Sequence, residues 1–105
     1  MKKLTTFYTY WKGQYTKISP AEIRFVEVRD DSCMLHLEEV MVMTEDSMEK
    51  IMSYLPEEQF LKVRHKYIIN RRFITGMSSE HVYIDKVKLP LRSADIPVIK
   101  ITESF

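Results

Sequence analysis

Hydrophobic and polar residues alternate with a period of two along most of this 105-residue chain, in short runs separated by polar or proline-containing breaks. Such alternation is typical of half-buried β-strands, and the runs are rich in β-branched and aromatic residues, which strands favour. The pattern predicts strands over residues 7–11, 15–18, 23–28, 33–37, 40–43, 60–66, 67–70, 73–75, 81–84, 87–89 and 98–101. Turns are expected at residues 12–14 and 85–86.

One segment follows a helical period instead. Its apolar residues are spaced i, i+3, i+4 and i+7 and so share one face of a helix: Met48, Ile51, Met52 and Leu55. Ser47 precedes them as an N-cap, Glu49 lies in the first turn where the helix dipole favours a carboxylate, and Pro56 ends the segment. The sequence therefore predicts a mainly β fold with one short α-helix.

The composition is that of a single folded domain over residues 1–105, with 45% hydrophobic and 11% aromatic residues. Cys33 is the one cysteine, so no internal disulfide is expected. No signal peptide follows the basic residues 1–4, and no run reaches the roughly 18 apolar residues of a membrane span. A cytoplasmic protein with no membrane partner is expected.

The net charge of +1 hides an uneven distribution. Residues 1–60 carry 7 Lys and Arg against 11 Asp and Glu, whereas residues 61–105 carry 9 against 4. Uneven charge is common in ordinary domains, but a basic half also suits an anionic partner such as nucleic acid.

Residues 60–77 contain no acidic residue at all. Their basic residues are Lys62, Arg64, His65, Lys66, Arg71 and Arg72. Because apolar residues are interleaved, a strand pair here can bury one face and offer the other to phosphates. Asn70 has two interpretations: an amide that bonds adenine, or a turn residue bonded to its own backbone. The residues alone favour the second.

No catalytic motif is found, neither a glycine-rich phosphate loop nor a nucleophile elbow. His36, His65 and His81 lack the spacing of a metal site. Cys33 and His36 are three residues apart, which places them on opposite faces of a strand. We therefore expect no enzymatic activity, no metal and no other cofactor.

Four segments, in order and with matching spacing, together resemble the LytTR (LytR/AlgR-type) DNA-binding domains. Residues 60–70, FLKVRHKYIIN, are similar to the central run of that family: Phe, an aliphatic residue, basic residues, Tyr, two aliphatic residues and Asn. The other three segments are residues 20–28, 47–56 and 89–93, and the resemblance extends over residues 7–101.

The resemblance implies an elongated stack of short antiparallel β-sheets with one short α-helix. It implies a transcriptional regulator that binds double-stranded DNA sequence-specifically, with loops and not a recognition helix in the major groove. The implied contacts lie in the loop that follows the strand of residues 23–28, at the end of the central run and near the C-terminus. They are Arg29, Ser32, Lys66, Asn70, Arg71, Arg72, Arg92 and Ser93.

Three departures from the family pattern bear on these residues. The His-Arg-Ser that commonly precedes Tyr in the family reads Arg64-His65-Lys66 here, so the basic character persists while the positions are exchanged. The Ser-Arg pair of the family is exchanged to Arg92-Ser93, which on a strand would turn Arg92 to the other face. Asp30 and Asp31 make the first contact loop partly acidic. The family's domains usually follow a receiver domain or a sensor, so a receiver domain or sensor kinase is an expected partner, as is a second copy on DNA.

Two other functions stay open on the residues alone. A β-rich domain with a free sheet edge can act as a protein-interaction module without DNA binding, by strand addition, and the acidic N-terminal half suits a basic partner. Exposed aromatic residues can also bind single-stranded nucleic acid, and Tyr8, Tyr10 and Trp11 are the candidates for that role.

Overall fold

The structure is a computed structural model that describes residues 6–100. In chain order its strands are β1 (Phe7–Trp11), β2 (Gln14–Ile18), β3 (Phe25–Val28), β4 (Cys33–His36), β5 (Met41–Thr44), β6 (Phe60–Val63), β7 (Tyr67–Asn70), β8 (Ile74–Met77), β9 (His81–Ile84) and β10 (Val87–Pro90). The helices are α1 (Met48–Ser53) and α2 (Ile96–Lys100), with 3₁₀ turns at Pro20–Glu22, Arg71–Phe73 and Ser93–Asp95. All strand pairs are antiparallel, and the predicted mainly β fold class is confirmed.

A five-stranded sheet, in the order β5-β4-β3-β7-β6, forms the middle layer. Two of its three inner strands, β3 and β7, have buried apolar residues on both faces. Val26 pairs with Ile68 and faces one core, while Phe25 pairs with Ile69 and faces the other. Because both faces are buried here, consecutive apolar residues occur at Phe25-Val26 and Ile68-Ile69 in place of a simple in-and-out alternation.

The first core lies between this central sheet and a layer made of the β1–β2 hairpin and α1. Phe7 and Ile18 from the hairpin and Ile51 from α1 are buried in it. The predicted helix is confirmed, and its N-cap is Ser47, whose Oγ accepts a 3.2 Å hydrogen bond from the N–H of Lys50. The cap and the buried face together hold this short helix on the sheet.

The second core lies on the opposite face, under the three-stranded sheet β10-β9-β8 and α2. Val82 and Leu89 from the small sheet and Ile99 from α2 are buried there against Phe25 and Ile69 of the central sheet. The layers of sheets give the described residues extents of 41 × 31 × 24 Å. This is the elongated stack that the sequence predicts.

The strand predicted over residues 98–101 is wrong, since residues 96–100 form α2 and residue 101 lies outside the described part of the chain. The segment begins with Arg92, whose backbone N–H donates to the Asp95 carboxylate at 2.9 Å. Pro97 lies in the first helical turn, where its missing N–H removes no hydrogen bond. Capping and the burial of Ile99 therefore outweigh the β-propensity of these residues.

Candidate nucleic-acid interface

A tight loop joins β3 to β4 at one end of the central sheet. The N–H of Arg29 donates to the carbonyl oxygen of Ser32 at 2.8 Å, and the N–H of Ser32 donates back at 3.4 Å. Asp30 and Asp31 occupy the exposed tip. The guanidinium of Arg29 is about half exposed and lies 3.5 Å from a carboxylate oxygen of Glu27. The loop therefore presents positive charge, at Arg29, and negative charge, at Asp30 and Asp31, to solvent.

A strained basic turn joins β6 to β7. Arg64 and His65 both have left-handed backbones, with φ of 57° and 56°, and the N–H of Lys66 donates to the carbonyl oxygen of Val63 at 3.1 Å. A left-handed backbone costs a residue with a side chain about 1–2 kcal/mol, and such turns favour asparagine and glycine. Arg64, His65 and Lys66 are all exposed, so the strain presents three basic side chains to solvent.

One backbone hydrogen bond brings the loop and the turn together. The N–H of Val28, which precedes Arg29, donates to the carbonyl oxygen of Lys66 at 2.7 Å. A surface depression beside this bond is lined by both segments and by Lys62. We call this surface the basic end; it consists of Arg29, Ser32, Lys62, Arg64, His65 and Lys66. Asp30, Asp31 and Glu49 line the same depression against Arg29 and Lys62, so the depression itself has a net charge of −1, and the positive charge of the basic end is concentrated at Arg64 and Lys66.

Asn70 lies at the other end of β7 and is fully buried. Its Nδ2 donates to the carbonyl oxygen of Ile23 at 2.8 Å, and its Oδ1 accepts from the N–H of Arg72 at 3.0 Å. Its amide is therefore enclosed and engaged by the backbone, which is the geometry of the turn role and not the exposed position that a direct contact with DNA requires.

Arg71 and Arg72 belong to the 3₁₀ turn that Asn70 caps. Arg71 is half-buried, with an Nη2 3.5 Å from the carbonyl oxygen of Val98 in α2, whereas Arg72 is exposed. Arg71 is five positions after Lys66, and the whole of β7 lies between them. At 3.3 Å per residue this separates the two residues by about 16 Å. The structure therefore does not bring these two arginines to the basic end.

Arg92 and Ser93 follow β10, and Arg92 does not lie on a strand, contrary to the expectation above. Arg92 is exposed, and its Nε is 3.8 Å from the Asp95 carboxylate. The other end of β10 is the turn at Asp85, whose carboxylate is 3.2 Å from the Nε of Arg24. Arg92 and Ser93 thus lie beyond one end of β10, and Arg24 lies near the other end.

Lys62, Arg64 and His65 are members of the basic end that the sequence analysis did not include among the contacts. Their signal was the acid-free segment, which contains all three. They were missed because the alternation over residues 60–66 predicts one continuous strand, whereas β6 ends at Val63 and a turn follows. A turn built on an Arg-His pair has no propensity signal, since asparagine and glycine are the usual residues.

Two titratable side chains, one partly buried and one fully buried, have shifted pKa values. Burial lowers the pKa of His36, and its 3.4 Å hydrogen bond to the Glu27 carboxylate opposes this effect. Burial and the carboxylates of Asp46 and Glu49 raise the pKa of the Cys33 thiol. Cys33 and His36 lie on opposite faces of β4, as the spacing predicts, so they form no catalytic pair.

Residues 6–100 contain no cluster of three or more side chains suited to hold a metal ion. Within the same residues, no helix is long and apolar enough to cross a membrane.

A layered stack of small antiparallel sheets presents a basic hairpin turn to solvent, which suits an anionic partner such as nucleic acid. The family model described as LytTr DNA-binding domain matches residues 13–98, and the chain belongs to this family, which comprises DNA-binding domains and not enzymes. Among solved structures, the chain is similar to a LytTr DNA-binding domain from Bacillus cereus, whose parent protein is described as a methyl-accepting/DNA response regulator. The TM-score is 0.76 at 13% identity, and the match covers 90% of this chain and 93% of that one. No curated protein matches the sequence.

Proposed function

We propose that this LytTR domain binds double-stranded DNA sequence-specifically as a transcriptional regulator, and that the basic end enters the major groove. The observation that carries the proposal is the hydrogen bond between Val28 and Lys66, which fixes the β3–β4 loop beside the β6–β7 turn. The major groove is about 12 Å wide and admits a two-stranded β-ribbon, which is the form of the β6–β7 hairpin.

The residues of the basic end have different roles in this proposal. Arg29, Lys62 and Lys66 neutralise phosphates, which contributes affinity that depends on salt and not on sequence. Arg64 and His65 occupy the tip of the turn and read base edges, since an arginine can bond a guanine bidentately.

The remaining predicted residues have secondary roles in the same proposal. Arg92 and Ser93 form a second contact, to the backbone of the same duplex, and Arg72 contacts a more distant phosphate. Asn70 acts as a positioning residue, because its Oδ1 fixes the backbone N–H of Arg72.

A selection from random duplexes by the full chain tests sequence-specific binding, with affinities then measured by fluorescence anisotropy over a range of salt concentrations. Arg64→Ala should lower the affinity for the selected site by about 1–3 kcal/mol and relax specificity at one position. Lys66→Ala should weaken binding to all sequences and reduce the salt slope by about 1. Lys17→Ala, an exposed lysine on the β1–β2 hairpin, is the matched control. Failure to enrich any sequence with folded protein would overturn the proposal.

We also propose a cytoplasmic location, a receiver domain or a sensor kinase as the source of the signal, and dimers that form on DNA. The description of the Bacillus cereus protein as a response regulator supports the first partner. Sedimentation of the chain with a selected duplex tests the last point: a complex of two chains per duplex is expected, and one chain per duplex at saturation would contradict it.

A further inference from the structure

A groove of about 740 Å³ opens at the end of the central sheet opposite to the basic end. One wall is the β4–β5 turn, which closes with a hydrogen bond from the N–H of Leu37 to the carbonyl oxygen of Val40 at 2.9 Å. The other wall is the β9–β10 turn at residues 85–86. His36 forms part of the lining, stacked on Phe25 with ring centroids 4.0 Å apart. The volume lies in the range of sites that hold small ligands or a few peptide side chains.

Large apolar side chains are exposed around this groove. Met41 is 55% exposed, and Val40 and Val87, on the two walls, are each 42% exposed. Met43 is on the same face of β5, two residues further along the strand, and is 37% exposed. Flexible methionine side chains are common on surfaces that adapt to bound partners. The outward face of β5 at this groove is therefore apolar and exposed.

The charges at the rim define what kind of partner fits. Glu38 and Glu39 lie on one wall and Asp85 on the other. Arg24, only 17% exposed, lies between them, 3.7 Å from Glu38 and 3.2 Å from Asp85, and its charge is thus already compensated. Lys86 is the other basic residue of the lining. Three carboxylates against Arg24 and Lys86 leave the lining with a net charge of −1, which complements a cationic ligand better than an anionic one such as DNA.

We propose that this groove docks an amphipathic segment of a separate partner protein, in which apolar residues alternate with lysine or arginine. The apolar side chains pack on Met41, Val40 and Val87, and a basic one pairs with Glu39. The length of β3 separates the groove, at Phe25, from the basic end, at Arg29. The groove and the basic end are therefore separate surfaces. This inference does not rest on the DNA contacts proposed above.

The experiment is a selection of random 12-residue peptides displayed on phage, using the full chain as bait and a Met41→Asp variant for counter-selection. We expect the enriched peptides to contain apolar residues alternating with Lys or Arg. Binding of the best synthetic peptide should weaken about tenfold or more in Met41→Asp and about threefold in Glu39→Lys. Tyr15→Asp, a similar change at an exposed position of the β1–β2 hairpin, should leave it unchanged.

Methyl resonances of the methionines locate the peptide. Met41 and Met43 should shift on titration, while Met48, buried in the first core, should not. DNA affinity and thermal unfolding of Met41→Asp should match those of the wild type, which excludes a folding defect as the cause of lost peptide binding. Enrichment of acidic peptides, no enrichment at all, or equal binding to Met41→Asp and wild type would each overturn the docking site without affecting the DNA-binding proposal.

Discussion

The side-chain amide of Asn70 donates a 2.8 Å hydrogen bond to the backbone carbonyl of Ile23, 47 residues earlier in the chain. The Oδ1 of the same amide accepts from the N–H of Arg72 and from the Nε2 of Gln59 at 3.2 Å. One buried side chain thus joins the segment before β3, the segment before β6 and the 3₁₀ turn after β7. It fixes the far end of the hairpin whose near end carries the basic turn.

We expect Asn70→Ala to destabilise the fold by about 2–3 kcal/mol, because the buried Ile23 carbonyl and the N–H of Arg72 lose their partner. Urea unfolding monitored by Trp11 fluorescence measures this loss. Gln59→Ala, which removes one partner of Asn70 but leaves the 2.8 Å bond in place, should cost less than half as much. Equal costs for the two variants would show that the bond to Ile23 contributes little.

The role of Asn70 shows what a sequence can and cannot predict here. Local chemistry indicates a turn residue, and the side chain does cap the turn at Arg72. Its complete burial depends on Ile23, and no local pattern reveals a partner so distant in the chain. A resemblance to a family transfers the position of a residue in a motif, but it does not transfer the exposure of that residue.

The same division holds elsewhere in the fold. Period-two runs and the capped apolar stripe of α1 predict most strands and that helix, because both depend on neighbouring residues. Patterns fail at the β6–β7 turn and at α2, where tertiary contacts override propensity. The left-handed Arg64 and His65 have no signal in an alternating run. In α2, burial of Ile99 favours a helix although most of its residues are β-branched.

His36 should make the fold less stable as the pH falls. Burial lowers its pKa in the folded state, so between its ordinary value, about 6.5, and the lowered one the unfolded chain binds more protons. The stability contributed by neutral His36 is present above that ordinary value and is lost below it. Urea unfolding from pH 7.5 to 5 should show a shallower decline in His36→Gln than in the wild type.

A second test of His36 is Glu27→Gln, which changes the pKa of the histidine without removing the histidine itself. The Glu27 carboxylate raises the pKa of His36, so its removal should lower that pKa further and extend the loss of stability to lower pH. An unchanged pH profile in both variants would contradict a titrating role for His36.

Cys33 should affect the stability of the fold at alkaline pH. Its thiol pKa is raised first by burial and then by Asp46 and Glu49, so the folded state keeps its proton after the unfolded chain has lost it. The stability is complete below the ordinary thiol pKa, about 8.5, and falls as the pH rises above it. Cys33→Ala should remove this part of the decline between pH 8 and pH 10. Slow reaction of native Cys33 with a thiol reagent, and fast reaction in urea, should accompany it.

Replacing Arg64-His65 by Asn-Gly should make the protein more stable and a weaker DNA binder. Asparagine and glycine accept left-handed backbones, so the exchange should relieve about 1–3 kcal/mol of strain, measured as the free energy of unfolding in urea. Loss of Arg64 should lower affinity for a selected duplex by about 1–3 kcal/mol and relax specificity at one position. Stability and DNA affinity should change in opposite directions because the turn exposes its basic side chains only with a strained, left-handed backbone.

The control is Lys12→Asn in the β1–β2 turn, where Lys12 also has a left-handed backbone, with φ of 49°. Its gain in stability should be smaller, because the ammonium of Lys12 lies 4.7 Å from the ring of Trp11 and that cation–π contact is lost with it. DNA affinity should not change, since Lys12 is outside the basic end. If the Asn-Gly variant gained stability and kept full affinity, the strained turn would have no role in DNA binding, and the contacts would have to be sought at Arg92 and Arg72.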